Sequence, residues 1–121
     1  MPREFPRSRR VGEEIHRLLS EALQREFSDP RLALVSLTEV EVANDLSVAQ
    51  VFFTCMNGAD KAEVATAALH SASGRLRHLL SGRMKLRTVP QLRFKYDDSL
   101  DRGERISALL ADANRREPEG N

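Results

Sequence analysis

The chain has 121 residues, with 19 Lys and Arg against 18 Asp and Glu for a net charge of +1, and a single cysteine, Cys55. That length fits one domain able to bury a modest core without staples, and a lone cysteine excludes both a disulfide framework and a cysteine-rich zinc site. No apolar run is long enough to span a bilayer, and the opening Met-Pro-Arg-Glu-Phe-Pro-Arg has no apolar signal segment, so a soluble, cytoplasmic protein without membrane contact is expected.

Ser8 is placed to cap a first helix running to about Phe27, in which Val11, Ile15, Leu18, Leu19, Ala22, Leu23 and Phe27 recur every three or four residues. Asp29-Pro30 ends it, because the residue before a proline is pushed out of the helical region and proline has no N–H to continue the ladder. Arg9 and Arg10 fall in the first turn, where the helix dipole disfavours cations and a partner would favour them. Residues 34–42 and 48–56 are rich in β-branched and aromatic side chains and flank the turn signal Asn44-Asp45, the pattern of an antiparallel hairpin. The first of these strands switches parity: Val35 and Leu37 share one face, Val40 and Val42 the other, as in a strand that carries a bulge or is buried at one end.

Asn57-Gly58 closes the hairpin, and Asp60 is placed to cap a second helix with a stripe of Val64, Ala67, Ala68 and Ala72. Ala72-Ser73-Gly74 then sets a glycine in a helix interior, where it costs about 1 kcal/mol relative to alanine. The stretch is read as two helices joined there or one helix kinked there, with Gly74 allowing close packing. Leu76, Leu79 and Leu80 continue the apolar side, and the pattern ends near Gly82 to Met84. From Leu86 the period becomes two, with Leu86, Leu92, Phe94 and Tyr96 on one face and Arg87, Gln91, Arg93 and Lys95 on the other. Pro90 suits an edge or the start of that strand. Ser99 is placed to cap a short last helix bearing Leu100, Ile106, Leu109 and Leu110; a single domain over 1–113 and a disordered polar tail over 114–121 are expected.

The modest net charge hides a segregated distribution. Between His70 and Tyr96 stand seven basic residues (Arg75, Arg77, Arg83, Lys85, Arg87, Arg93 and Lys95) and no acid, whereas residues 36–63 hold five acids and only Lys61. Charge alone leaves two readings open, a phosphate-binding face and a solvated basic surface. Catalytic readings fare worse. His16, His70 and His78 are scattered and form no helical metal-ligand pair, and Asp97-Asp98 precedes Ser99 and a helix start, where a turn role is the simpler account. The six glycines satisfy neither the P-loop nor the dinucleotide pattern, so no enzyme, cofactor or metal site is expected.

The order helix, strand, strand, helix, kink, helix, strand predicts an α+β domain of type II KH-like form, a three-stranded sheet with helices on one face. KH modules clamp a nucleic-acid backbone at a GXXG turn, yet no two glycines are three apart and Ala72-Ser73-Gly74 stands in that place. In this departure the chain resembles the ribosome-binding factor A family. The resemblance is carried in order by Arg10-Val11 and Ile15, Asp29-Pro30-Arg31, Val40-Glu41-Val42, Asp45-Leu46, Ala72-Ser73-Gly74, and Leu86-Arg87-Thr88-Val89-Pro90-Gln91-Leu92 through Tyr96-Asp97-Asp98-Ser99-Leu100. It implies a non-enzymatic bacterial assembly factor that binds free or immature small (30S) ribosomal subunits and their 16S rRNA. It further implies help with maturation of the 5′ end of that rRNA and support of growth in the cold.

Without a GXXG clamp and with few exposed aromatics, structured RNA held through phosphates is the more consistent ligand. The candidate RNA-binding residues are Arg7, Arg9, Arg10, Arg75, Arg77, His78, Arg83, Lys85 and Arg87, with Ala72, Ser73 and Gly74 as the helix-kink motif. Two other classes compete: a protein-interaction module in which the acidic hairpin and basic helix meet another chain, and a DNA binder using the helix pair as a helix-turn-helix. A monomeric mass in solution is expected of the first reading.

Overall fold

A computed structural model describes residues 7–98; the helix expected after Ser99, the domain limit at 113 and the tail over 114–121 lie outside the described residues. Helix α1 (Arg7–Arg25) is followed by strands β1 (Val35–Val42) and β2 (Val48–Cys55), helix α2 (Ala62–Arg83) and strand β3 (Gln91–Tyr96), with 3₁₀ turns at Pro30–Leu32 and Ala59–Lys61. The sheet order is β1-β2-β3, with β1 and β2 antiparallel and β2 and β3 parallel. A parallel pair needs a crossover, and α2 supplies it.

The alternation on β2 decides which face is covered. Ala49, Val51, Phe53 and Cys55 are buried toward the helices, while Val48, Gln50, Phe52 and Thr54 are half-buried on the other face. From β3, Leu92 and Phe94 join the covered face and Gln91, Arg93 and Lys95 stay exposed, the basic outer face expected. The parity switch of β1 is a bulge: Leu37 pairs with Phe53 and Glu39 with Phe52, so Thr38 is the extra residue. It lets Val35, Leu37, Val40 and Val42 all turn toward the helices, because their partners Cys55, Phe53, Val51 and Ala49 do.

From α1, Val11, Ile15, Leu18, Leu19, Ala22 and Leu23 pack onto the sheet; from α2, Ala65, Ala68, Leu69, Ala72, Leu76 and Leu80 do. No polar or charged side chain is buried among the described residues. Gly12 fixes how closely α1 can lie on β1, since a Cβ there would stand 2.8 Å from the Val40 carbonyl oxygen. The hairpin turn forms where expected, with Asp45 Oδ1 accepting from the Ser47 amide at 3.1 Å and the Ser47 hydroxyl at 2.7 Å.

Several local expectations are corrected. Ser8 lies inside α1 and donates its hydroxyl to Asn44 Oδ1 at 3.4 Å instead of capping the helix. Asp60 sits in the 3₁₀ turn ahead of α2, whose start has no side-chain cap. Of the expected stripe, Ala68 and Ala72 are buried and Val64 and Ala67 are exposed, with Ala65 buried in their place. Of the two forms open at Ala72-Ser73-Gly74, the structure has a single helix whose hydrogen-bonded turns run through the motif. Gly74 is exposed, and a Cβ on it would meet no atom within 4 Å, so close packing is not its role. The third strand starts at Gln91 and not Leu86, because Leu86 to Pro90 form the connection after α2.

Candidate nucleic-acid interface

α1 ends beside the C-terminal half of α2, and the two leave a groove of about 560 Å³ between them. Its α1 wall is Glu26 and Phe27, and its α2 wall includes Gly74, Arg75, His78, Gly82 and Arg83. Residues four apart on a helix stack on one side, so Gly74, His78 and Gly82 form one row and Arg75, Leu79 and Arg83 the next. The Arg75 guanidinium lies over the Phe27 ring at 4.4 Å and points one N–H at the Glu26 carbonyl oxygen, 3.5 Å away. Arg83 reaches the Glu26 carboxylate at 3.3 Å, with both side chains about half exposed.

The remaining candidate cations divide by position. Arg77 does not line the groove: it donates from Nε to the Pro90 carbonyl at 3.1 Å and from Nη2 to the Val89 carbonyl at 2.9 Å, tying the connection before β3 to α2. Lys85 and Arg87 are exposed in that connection. Arg7, Arg9 and Arg10 lie in the first turn of α1, roughly 25 Å along the helix from Glu26 at 1.5 Å per residue. Arg9 pairs with Glu13 at 3.8 Å and shares a second groove with Glu13, Glu39 and Glu41, an acidic setting. The structure therefore gathers Arg75, His78 and Arg83 and separates them from the α1 arginines. Within the helix motif, Ala72 is buried and Ser73 donates its hydroxyl to the His70 carbonyl at 2.8 Å.

Glu26, Phe27, Leu79 and Gly82 are the groove residues that sequence reasoning missed. Phe27 reads as one more member of the α1 apolar stripe, and Gly82 as a helix end. The sequence does not mark Phe27 apart from that stripe, because α1 ends at Arg25 and the arginine that covers the ring comes from α2.

Three groups away from the basic groove depart from their ordinary protonation behaviour. Glu39 is pushed above the ordinary carboxylate range, first by desolvation, then by Glu41 and Asp97, with His16 opposing. Hydrogen bonds from the Arg31 side chain and amide hold Asp29 below its ordinary value, across a 2.7 Å ion pair. Burial raises the Cys55 thiol. His16 Nε2 stands 3.0 Å from the Leu37 carbonyl oxygen, so it carries the proton and donates. No group of three metal-ligating side chains occurs among the described residues, and no described helix is long and apolar enough to cross a membrane.

Residues 7–110 match the sequence model of a family described as ribosome-binding factor A. The chain belongs to the ribosome-binding factor A family. Similar relatives include ribosome-binding factor A of Alkalilimnicola ehrlichii, 47% identical over 114 residues that cover 93% of this chain and 88% of that one. That of Azotobacter vinelandii is 48% identical over 113 residues, 91% of this chain and 88% of that one. Among solved structures, the crystal structure of ribosome-binding factor A from Thermus thermophilus superposes with a TM-score of 0.66 at 29% identity, covering 74% of this chain and 93% of that chain. A homology model of Thermus thermophilus ribosome-binding factor A, as fitted into a cryo-electron-microscopy map of a 30S complex, superposes with a TM-score of 0.62 at 28% identity, covering 75% of this chain and 96% of that one. The KH-like α+β architecture expected from the element order is the fold these relatives share with the described part of the chain.

A helix-turn-helix reading does not survive the geometry. The stretch that was to provide two helices and a turn is one helix, α2.

Proposed function

We propose that this protein is a non-enzymatic, cytoplasmic assembly factor that binds free or immature 30S subunits through 16S rRNA. It acts late in small-subunit maturation, assists processing of the 16S rRNA 5′ end and supports growth in the cold. The observation that carries the reading is the family membership, together with the relative of the same fold that was fitted into a 30S complex. The charge pattern supports it: Arg75, His78 and Arg83 share a groove, while the acids Glu13, Glu39 and Glu41 collect at the far end of α1. Guanidinium groups suit phosphate because they present paired donors in a plane, and RNA affinity held by such contacts falls steeply with salt.

The nine candidate residues fall into four roles in this reading. Arg75, His78 and Arg83 face RNA from the groove, Lys85 and Arg87 extend the cationic surface beyond α2, and Arg77 keeps the connection to β3 in place. Arg7, Arg9 and Arg10 form a secondary contact at most, since acids adjoin Arg9. The test is genetic and biochemical together. Deleting the gene should leave 16S rRNA with an extended 5′ end and slow growth in the cold, and the purified monomer should co-sediment with free 30S subunits. Normal 5′ ends at low temperature, or no co-sedimentation in low salt, would contradict the proposal.

A further inference from the structure

The groove between α1 and α2 carries two features that the fold itself does not require. Gly74 and Gly82 are both exposed, two helical turns apart in one row, and an added Cβ at either would meet no atom within 4 Å. Glycine is a poor helix former, and at neither site does the missing side chain admit a neighbour from the described structure. What the two glycines do is lower the groove floor on either side of His78, over a span of about 12 Å. Beside that floor the ridge of Arg75 and Arg83 presents two guanidinium groups. Arg75 is paired with a ring and a carbonyl oxygen, and Arg83 is held by Glu26, the single carboxylate among the described residues that line the groove.

We infer that this groove holds the ribose-phosphate backbone of an RNA strand, which lies over Gly74 and Gly82 with its phosphates on Arg75 and Arg83, and that Glu26 occupies Arg83 until phosphate displaces it. The inference rests on the ribosome-binding reading above and gives it a site. Charge complementarity selects the occupant: two arginines and a histidine face one carboxylate. A floor without side chains admits a bulky backbone to the helix surface, as glycine does wherever a backbone must come close to a ligand. The Arg75 guanidinium, centred 4.4 Å over the Phe27 ring, belongs to an exposed residue and suits a phosphate through its N–H donors. The exposed Glu26–Arg83 pair is weak enough for a phosphate to replace it.

The experiment uses the full chain, purified 30S subunits and a single-stranded RNA oligonucleotide, with binding measured across a salt series alongside thermal melts. Gly74→Ala with Gly82→Ala should raise the melting temperature, because alanine suits a helix better and open space receives both methyls, yet weaken binding several-fold. That opposition distinguishes an RNA floor from a packing role. Glu26→Gln should tighten binding roughly two- to fivefold, the exchange expected for loss of one exposed competing ion pair. Glu63→Gln, which removes the same charge near the start of α2, should leave binding within twofold. Equal gains from Glu26→Gln and Glu63→Gln, or wild-type binding by the double alanine variant, would overturn the inference while wild-type binding itself upheld the ribosome-binding reading. Competition by polyglutamate at lower concentration than by the RNA oligonucleotide would overturn RNA as the occupant. Absence of wild-type binding to 30S subunits would remove the reading on which the site rests.

Discussion

Arg75 and Arg77 are neighbours in one cationic run, yet a step of two residues along a helix turns them to different tasks. Arg75 lies on Phe27 at the groove, and Arg77 donates to the carbonyls of Val89 and Pro90. Charge counting cannot separate them, because the partners of Arg77 are backbone oxygens that leave no mark in the sequence. Arg77→Ala should therefore act on folding: losing two charge-assisted bonds to part-buried carbonyls costs about 1–3 kcal/mol, read as a lower melting temperature. Its effect on RNA binding should follow that instability and vanish at low temperature. Glu39 is a second residue with a measurable signature. Its folded-state pKa is raised, so the folded protein holds that proton more tightly than the unfolded chain, and stability falls as pH rises through the ordinary glutamate range. Glu39→Gln should raise the melting temperature at pH 7 and lose that advantage below about pH 4, where the carboxyl is protonated in both states. A gain that persists unchanged in acid would point to packing and not to charge.

At the scale of elements, the parts set by periodicity were legible and the parts set by tertiary contact were not. The α1 stripe from Val11 to Leu23 and the alternation of β2 follow from one buried face each, and the parity switch in β1 announced the bulge at Thr38. Helix starts are not legible from residue type alone: Ser8 and Asp60 are good capping residues, but Arg7 is already helical and Asp60 lies within the 3₁₀ turn Ala59–Lys61. The third strand was drawn too long because Leu86 continues its alternation, while in the fold the connection is pinned to α2 by Arg77. Most consequential was the reversal between two glycines. Gly74 looked like the position needed for close approach, and the structure gives that role to Gly12, hidden in the strongest helical pattern of the chain. Gly12→Ala should accordingly destabilise the protein by about 1–3 kcal/mol, since Val40 offers a backbone atom that cannot move aside. Chemical denaturation of this variant beside Gly74→Ala should show opposite signs.

Across the whole molecule, a net charge of +1 resolves into two ends of α1: arginines bracketed by Glu13, Glu39 and Glu41 at the start, and the Arg75–Arg83 ridge at the finish. The sequence announced the cationic run but not its division, because which basic side chains share a surface depends on how α2 lies against Phe27. The most direct measurement is the dependence of 30S binding on salt for the wild type, for Arg75→Gln with Arg83→Gln, and for Arg9→Gln with Arg10→Gln, each checked by a thermal melt. If Arg75 and Arg83 each neutralise a phosphate, their loss should flatten the slope of log affinity against log salt by about 0.7 to 0.9 per contact, with the melt nearly unchanged. The α1 pair should change the slope by less than one contact. A wild-type slope in the Arg75 and Arg83 variant, with flattening in the Arg9 and Arg10 variant, would contradict the account and move the RNA surface to the other end of α1.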